Sequence, residues 1–354
     1  MTELNSVRSV LELLPEPALL LEAGLVLWCN TAASRLAFAP GENAPALPEG
    51  ITLPVGEDTV HWDLSRGGSC WEVTARALGE AHLLLLHPIA ENLDSDLLLA
   101  AARGIQPSLE TIADVGNDLF AFLEEMENEG IQAQTAAITR ASYRLLRTAG
   151  ELNAFARLRQ EDVPLQRERG DLTAWFRALA EKTADALLDA GISLDYHGPA
   201  TTVQGAIDRE EVQHAVLHLI SNAVQFAPAG SSVGLRVSRA GNLLRISVTG
   251  CAAPPNHALA SVFSAYRDPG STDPRQGMGL GLPMVQALAR RHGGNLLMSC
   301  RENVTEALLS LDITQEDKKL GLPKKDLTGG YDPCLVVLSS VLPNGTYDSR
   351  SVDI

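Results

Sequence analysis

The hydrophobic and polar positions of the chain fall into three successive rhythms. Over residues 1–90 they alternate in short runs. Val7–Leu14 predicts a short helix, and Ala18–Leu21 with Leu25–Cys29 predict a hairpin turning at Ala23-Gly24. Asn30-Thr-Ala-Ala-Ser34 has the pattern of a cap opening a helix, and the Pro- and Gly-rich stretch Ala39–Pro54 that of a loop. Strands are predicted at His61–Leu64, Ser69–Ala75 and His82–His87.

The second rhythm fills residues 96–160. Leu98, Ala102, Ile105, Leu109, Ile112, Gly116, Leu119, Leu123 and Met126 follow at steps of four and three. After Asn128-Glu-Gly130 the same steps carry Ile138, Ser142, Leu145, Ala149, Leu152 and Ala156. Two long helices with a short turn make an antiparallel hairpin. A seam only two positions wide makes too little core for one chain, so the pattern predicts pairing as a four-helix bundle from two copies.

The third rhythm is mixed. A helix over Leu172–Ala190 and a strand over Ile192–Tyr196 precede an amphipathic helix over Asp208–Phe226, whose apolar stripe is Val212, Val216, Leu219, Ile220 and Ala223. A hairpin (Val233–Ser238, Leu243–Thr249), a long loop, a helix over Pro283–Arg291 and strands over Asn295–Cys300 and Glu306–Asp312 follow. This order predicts a helical layer on a sheet, of the α+β class. In the tail, 314–354, an apolar run ending at Leu342 is long enough to dock on the fold.

On the helix over 208–226, His214, His218, Asn222 and Gln225 lie along one edge, at steps of four, four and three. Four neutral hydrogen-bonding side chains suit either a solvated face or the wall of a pocket. Gly277-Met-Gly-Leu-Gly-Leu282, opening the next helix, favours the pocket. Main-chain N–H groups at a helix start attract anions, and glycines let a phosphate approach closely. No Gly-Lys-Ser/Thr occurs and the glycines do not follow a strand, so Walker and Rossmann readings fail.

Composition narrows the function classes. A length of 354 residues allows two or three domains. A net charge of -16 argues against binding nucleic acid or anionic membrane. Of five lysines, four (Lys318, Lys319, Lys324 and Lys325) sit in one stretch that reads as a solvated linker. Cys29, Cys70, Cys251, Cys300 and Cys334 are dispersed with no Cys-x-x-Cys pair, which fits a reducing cytoplasm and no zinc site. The start is acidic and polar rather than signal-like, and no apolar run reaches the ~20 residues that span a bilayer. The expectation is a cytoplasmic protein without membrane insertion.

Taken together, Leu217-His-Leu-Ile-Ser-Asn-Ala-Val-Gln-Phe226, Val262-Phe-Ser-Ala-Tyr266 and Gly277–Leu282 resemble the Asn box, Phe box and second glycine box of sensor histidine kinases. Residues 1–90 resemble a PAS-type sensor domain. The resemblance implies a multidomain α+β chain. Its parts would be a PAS-like domain (1–90), a dimerisation hairpin (95–160), a Bergerat-type α/β-sandwich ATP-binding domain (165–313) and a C-terminal extension (314–354). It also implies ATP and Mg²⁺ as cofactors, Asn222 as the Mg²⁺ ligand, and Gly277, Gly279 and Gly281 as the shapers of the phosphate loop.

The departures from that pattern are specific. The adenine-binding Asp of the first glycine box has no counterpart in Val248-Thr-Gly-Cys-Ala-Ala-Pro-Pro255, and no Asp occurs from Gly241 to Ala260. Loss of such a charged hydrogen bond, about 1.5–3 kcal/mol, weakens ATP roughly ten- to hundredfold. His218 replaces the first Asn of the box, and Gln225 its basic residue. Arg103-Gly-Ile-Gln-Pro-Ser-Leu109 matches the rhythm of the phosphoacceptor motif. Aligning leucines puts Arg103 at the acceptor position, and aligning the proline puts Ala102 there. No histidine occurs between His87 and His197. The resemblance thus implies a pseudokinase or scaffold in two-component signalling, with no catalytic residue assigned. Its partners would be a second copy through 95–160 and a response regulator or an intact histidine kinase. The alternatives are an ATP-dependent kinase or ATPase acting on another protein, with His218 as candidate base, and a sensor module without nucleotide.

Overall fold

The structure, a computed structural model, describes residues 8–48, 52–88, 109, 112–113, 115, 129–159, 164–225, 227–251, 280–301, 304–314, 328 and 330–347. The chain divides into two compact units, one of Met1–Glu91 with Ala252–Ser264 and Asn295–Leu308, the other of Asn92–Cys251, Ala265–Gly294 and Leu309–Ile354.

The first unit is an antiparallel sheet. Strands β1 (Ala18–Glu22) and β2 (Leu25–Cys29) pair with Glu22 opposite Leu25. Their turn places Ala23 at φ 49° and Gly24 at φ 80°, the two positive dihedrals a tight hairpin demands. Asn30 then caps helix α1 (Thr31–Ser34), its Oδ1 accepting from the N–H of Ala33 at 2.9 Å and of Ala18 at 3.0 Å. Its Nδ2 donates to the carbonyls of Leu11 (3.1 Å) and Glu16 (2.9 Å), so one buried amide ties the first strand to the residues before it. Strands β3 (Thr59–Arg66), β4 (Ser69–Leu78) and β5 (Ala81–Pro88) form a meander, and β5 pairs with β1. Alternation sends Val60, Trp62, Val73 and Ala75 into one core with Leu19, Leu84 and Phe38.

One pairing has no local signal. Strand β11 (Asn295–Arg301) joins β3, with Met298 opposite His61 and Cys300 opposite Thr59. The strand pattern by itself predicts that Asn295–Cys300 and Glu306–Asp312 together close the 165–313 region.

The second unit layers helices on strands. Helix α2 (Glu129–Arg159) precedes β6 (Glu168–Asp171) and α3 (Leu172–Leu188), whose first turn is capped by Asp171 accepting from Ala174 N at 3.0 Å. Strand β7 (Ser193–His197) runs parallel to β9 (Ser232–Ala240), and β9 turns back into β10 (Leu243–Cys251); β6 pairs with β8 (Gln204–Ile207). Leu244, Ile246 and Val248 of β10 and Val233, Leu235 and Val237 of β9 are buried. Helices α4 (Arg209–Gln225) and α5 (Gly281–Arg291) complete this layer. The mixed α+β class is therefore the one expected.

Of the seam positions on the second helix of the expected hairpin, Ser142, Ala149, Leu152 and Ala156 are buried while Ile138 and Leu145 are about half exposed. The positions differ because α2 packs against the tail and helix α5 (Gly281–Arg291), with Tyr143, Leu146 and Arg147 buried and Arg147 reaching α4. The first helix lies outside the described residues apart from Leu109, Ile112, Ala113 and Val115, which are helical.

Candidate nucleotide site

Helix α4 starts where Asp208 accepts hydrogen bonds from Glu211 N (3.3 Å) and Gln166 N (2.7 Å), satisfying a donor of the first turn. Its apolar stripe lies as the spacing predicts: Val212, Val216 and Ile220 are fully buried and Leu219 nearly so. The polar edge divides. Asn222 and Gln225, on the last turn, are half-buried, whereas His214 and His218 are buried. All four were expected along one pocket wall, and the two histidines instead pack inward because α2 lies over them.

That inner half is a buried polar cluster. The rings of His214 and His218 meet edge to face at 5.3 Å. His218 Nδ1 lies 3.5 Å from Glu151 Oε1 and 3.4 Å from Arg147 Nη2, and Arg147 Nε donates to Glu151 Oε1 at 2.7 Å. Arg147 Nη1 also donates to Ser221 Oγ at 3.2 Å. Burial first, then the neighbouring His218, pushes His214 down to about 3. Burial first, then the Arg147 guanidinium, holds His218 well below the ordinary imidazole range. Both imidazoles are therefore neutral near pH 7. Arg147 and Glu151 give no sequence signal of this burial, because an i, i+4 Arg–Glu pair is ordinarily a surface feature.

The outer half is arranged by two glycines. A Cβ on Gly250, at the end of β10, would lie 2.7 Å from Ala223 Cβ, so only glycine lets this strand reach the helix beside Asn222. A Cβ on Gly281, the first residue of α5, would lie 3.1 Å from His218 Nδ1. Both glycines therefore sit against α4, and the start of α5 stands next to the last turns of that helix. Leu280 at the cap offers no side-chain hydrogen bond, leaving main-chain donors of the first turn for an anion. These features fit a phosphate-bearing ligand, and the half-buried Asn222 amide fits a cation that keeps part of its water shell. Gly277 and Gly279 lie outside the described residues, as do Val262–Tyr266, Ala252–Pro255, Ala102 and Arg103. Among the described residues no three or more His, Cys, Asp or Glu are placed to hold a metal ion. The five cysteines are free thiols. No described helix is long and apolar enough to cross a membrane.

Helices over a sheet, with a glycine-bounded approach between α4 and α5, make up this layer. Residues 207–315 match the family described as histidine kinase-, DNA gyrase B-, and HSP90-like ATPase. Histidine protein kinase DivJ of Caulobacter vibrioides is 33% identical over 115 residues, covering 32% of this chain and 19% of that protein. Sensor histidine kinase CusS of Escherichia coli is 27% identical over 147 residues, 41% of this chain and 29% of its own length. The match to this ATPase family is confined to residues 207–315, and the chain spans less than a third of the length of these relatives. Among solved structures, full-length ShkA in complex with AMPPNP aligns with a TM-score of 0.49 at 21% identity, over 64% of this chain and 48% of that one. Histidine kinase ThkA in complex with response regulator TrrA aligns at 0.43 and 14% identity, over 86% and 98%.

Proposed function

We propose that this chain is a pseudokinase or scaffold of two-component signalling. It would retain an ATP site weakened by loss of the adenine-binding Asp, and lack a histidine to phosphorylate. The observation that carries this reading is the absence of any histidine between His87 and His197, beside an Asn222 and a Gly281 still in place on α4 and α5. ATP with Mg²⁺ would bind between these helices, Asn222 offering its carbonyl oxygen to the cation and Gly277, Gly279 and Gly281 shaping the phosphate loop. The segments would act as a PAS-like sensor (1–90), a dimerisation hairpin (95–160), the ATP-binding domain (165–313) and an extension (314–354), in the cytoplasm. Partners would be a second copy of the chain and a response regulator or intact histidine kinase. Exposed apolar Ile112, Val115, Ile138 and Leu145 support the pairing of copies.

The alternative, a kinase or ATPase that uses His218 as base, is disfavoured by the burial of that ring and its engagement with Arg147 and Glu151. A general base needs reach to the proton it removes. Calorimetric titration with Mg·ATP, beside Asn222→Ala, tests the proposal. Weak binding that the substitution abolishes is expected. The absence of heat and of a thermal shift at millimolar nucleotide would leave only the scaffold reading, and a ligand found on residues 1–90 as well would point to the sensor module.

A further inference from the structure

The tail segment is short of regular structure yet holds three helices at once. After Thr328 it forms helix α6 (Pro333–Val337) and 3₁₀ turns over Leu338–Ser340 and Asn344–Tyr347. Cys334, Val336, Val337, Leu338 and Leu342 are buried.

Its polar contacts are distributed along its length. At the near end Lys182 of α3 meets Asp332 at 2.9 Å. In the middle, Arg140 of α2 donates through Nε to the Ser339 carbonyl (3.1 Å), through Nη2 to the Ser340 carbonyl (3.3 Å) and through Nη1 to Asn344 Oδ1 (3.1 Å). Arg147 also donates to Ser340 Oγ, which lies 3.2 Å from Ser221 Oγ of α4. Tyr143 of α2 meets Tyr331 at 5.3 Å and Tyr347 at 5.1 Å, edge to face, and Tyr347 Oη donates to the Leu335 carbonyl at 2.8 Å.

We infer that residues 328–347 are an intramolecular strap that locks helix α2 against the ATPase-type layer, through Arg140, Tyr143 and Arg147 on one side and Ser221 and Lys182 on the other. The lock is built to be released as a unit. One guanidinium, Arg140, provides three of its hydrogen bonds, two of them to main-chain carbonyls, and short 3₁₀ turns have poorer hydrogen-bond geometry than an α-helix. Release would free α2 to move against α4 and uncover Tyr143, Arg147 and Ser221. Ser221 adjoins Asn222, so the strap reaches the helix turn next to the candidate ligand site without occupying it. The inference concerns packing alone and stands whether or not nucleotide binds.

Hydrogen exchange on the full chain and its Arg140→Ala variant tests the lock. The expected result is exchange faster by about tenfold in both 330–347 and the 132–150 part of α2, with β9 and β10 unchanged. Unchanged exchange in α2, with or without a change in the tail, would overturn it. If Arg140→Ala instead loses protection in β10, the whole chain has been destabilised. The milder pair Lys182→Ala and Asn344→Ala, which removes one contact each and leaves the Arg140 bonds to the Ser339 and Ser340 carbonyls, then decides by the same comparison.

Discussion

His218 Nδ1 and Glu151 Oε1 lie 3.5 Å apart inside the protein, although their residues belong to different helices and are 67 positions apart. Both side chains are almost fully buried, and Arg147 contacts both. A buried carboxylate is tolerated because the guanidinium neutralises it, and a buried imidazole because it stays neutral. The cluster ties α2 to α4 and engages the Nδ1 of His218.

Breaking this cluster on one side should cost more than a surface pair would. Glu151→Ala leaves Arg147 buried without its carboxylate, and a loss of ~3–5 kcal/mol is expected. Urea denaturation measures it. A loss below about 1 kcal/mol would mean the pair behaves as if solvated.

Stability should fall in acid through the two imidazoles. The folded state holds His214 at about 3, below its ordinary 6.5, and holds His218 well below 6.5 too. The unfolded chain therefore binds more protons below pH 6.5. Stability is complete above that value and declines as pH falls toward 3, with a limiting slope of ~1.4 kcal/mol per pH unit for each histidine. Chemical denaturation between pH 4 and 8 should show this, and His214→Leu should reduce the slope by one proton's worth.

Gly281→Ala should press a methyl group on His218, where the available distance is 3.1 Å. Overpacking of this kind costs ~1–3 kcal/mol. In the His218→Ala background the same substitution should cost little, and a double-mutant cycle in denaturant reads the coupling. Equal costs in both backgrounds would contradict the close approach.

If α2 pairs with a second copy, Ile138 and Leu145, one heptad apart and about half exposed, lie in the shared face. The double variant Ile138→Glu/Leu145→Glu should then elute as a monomer with unchanged circular dichroism, light scattering giving the mass. A parent chain that is itself monomeric would contradict this.

The elements governed by local chemistry were readable in the sequence. Ala23-Gly24 marked the first hairpin, Asn30 the cap of α1, and Val212, Val216 and Ile220 the buried stripe of α4. What escaped was set by distant partners. His214 and His218 looked like half of a pocket wall because nothing near them in sequence shows that α2 covers that edge. Arg147 and Glu151 carry no sequence signal of burial for the same reason. The pairing of β11 with β3 joins Met298 to His61 with no local signal at all. Of the candidate ligand site, Asn222 and Gly281 are legible as motif residues, whereas Gly250 stands in a stretch whose sequence signal is the missing Asp. Its contact with Ala223 depends on a strand and a helix meeting, which spacing does not reveal.

The most direct test of the account is incubation of the purified full chain with Mg·ATP labelled in the γ-phosphate, followed by peptide mapping of residues 95–160. The account predicts no label in that segment, because it contains no histidine to accept a phosphoryl group. ATP-derived label recovered from the hairpin would contradict it.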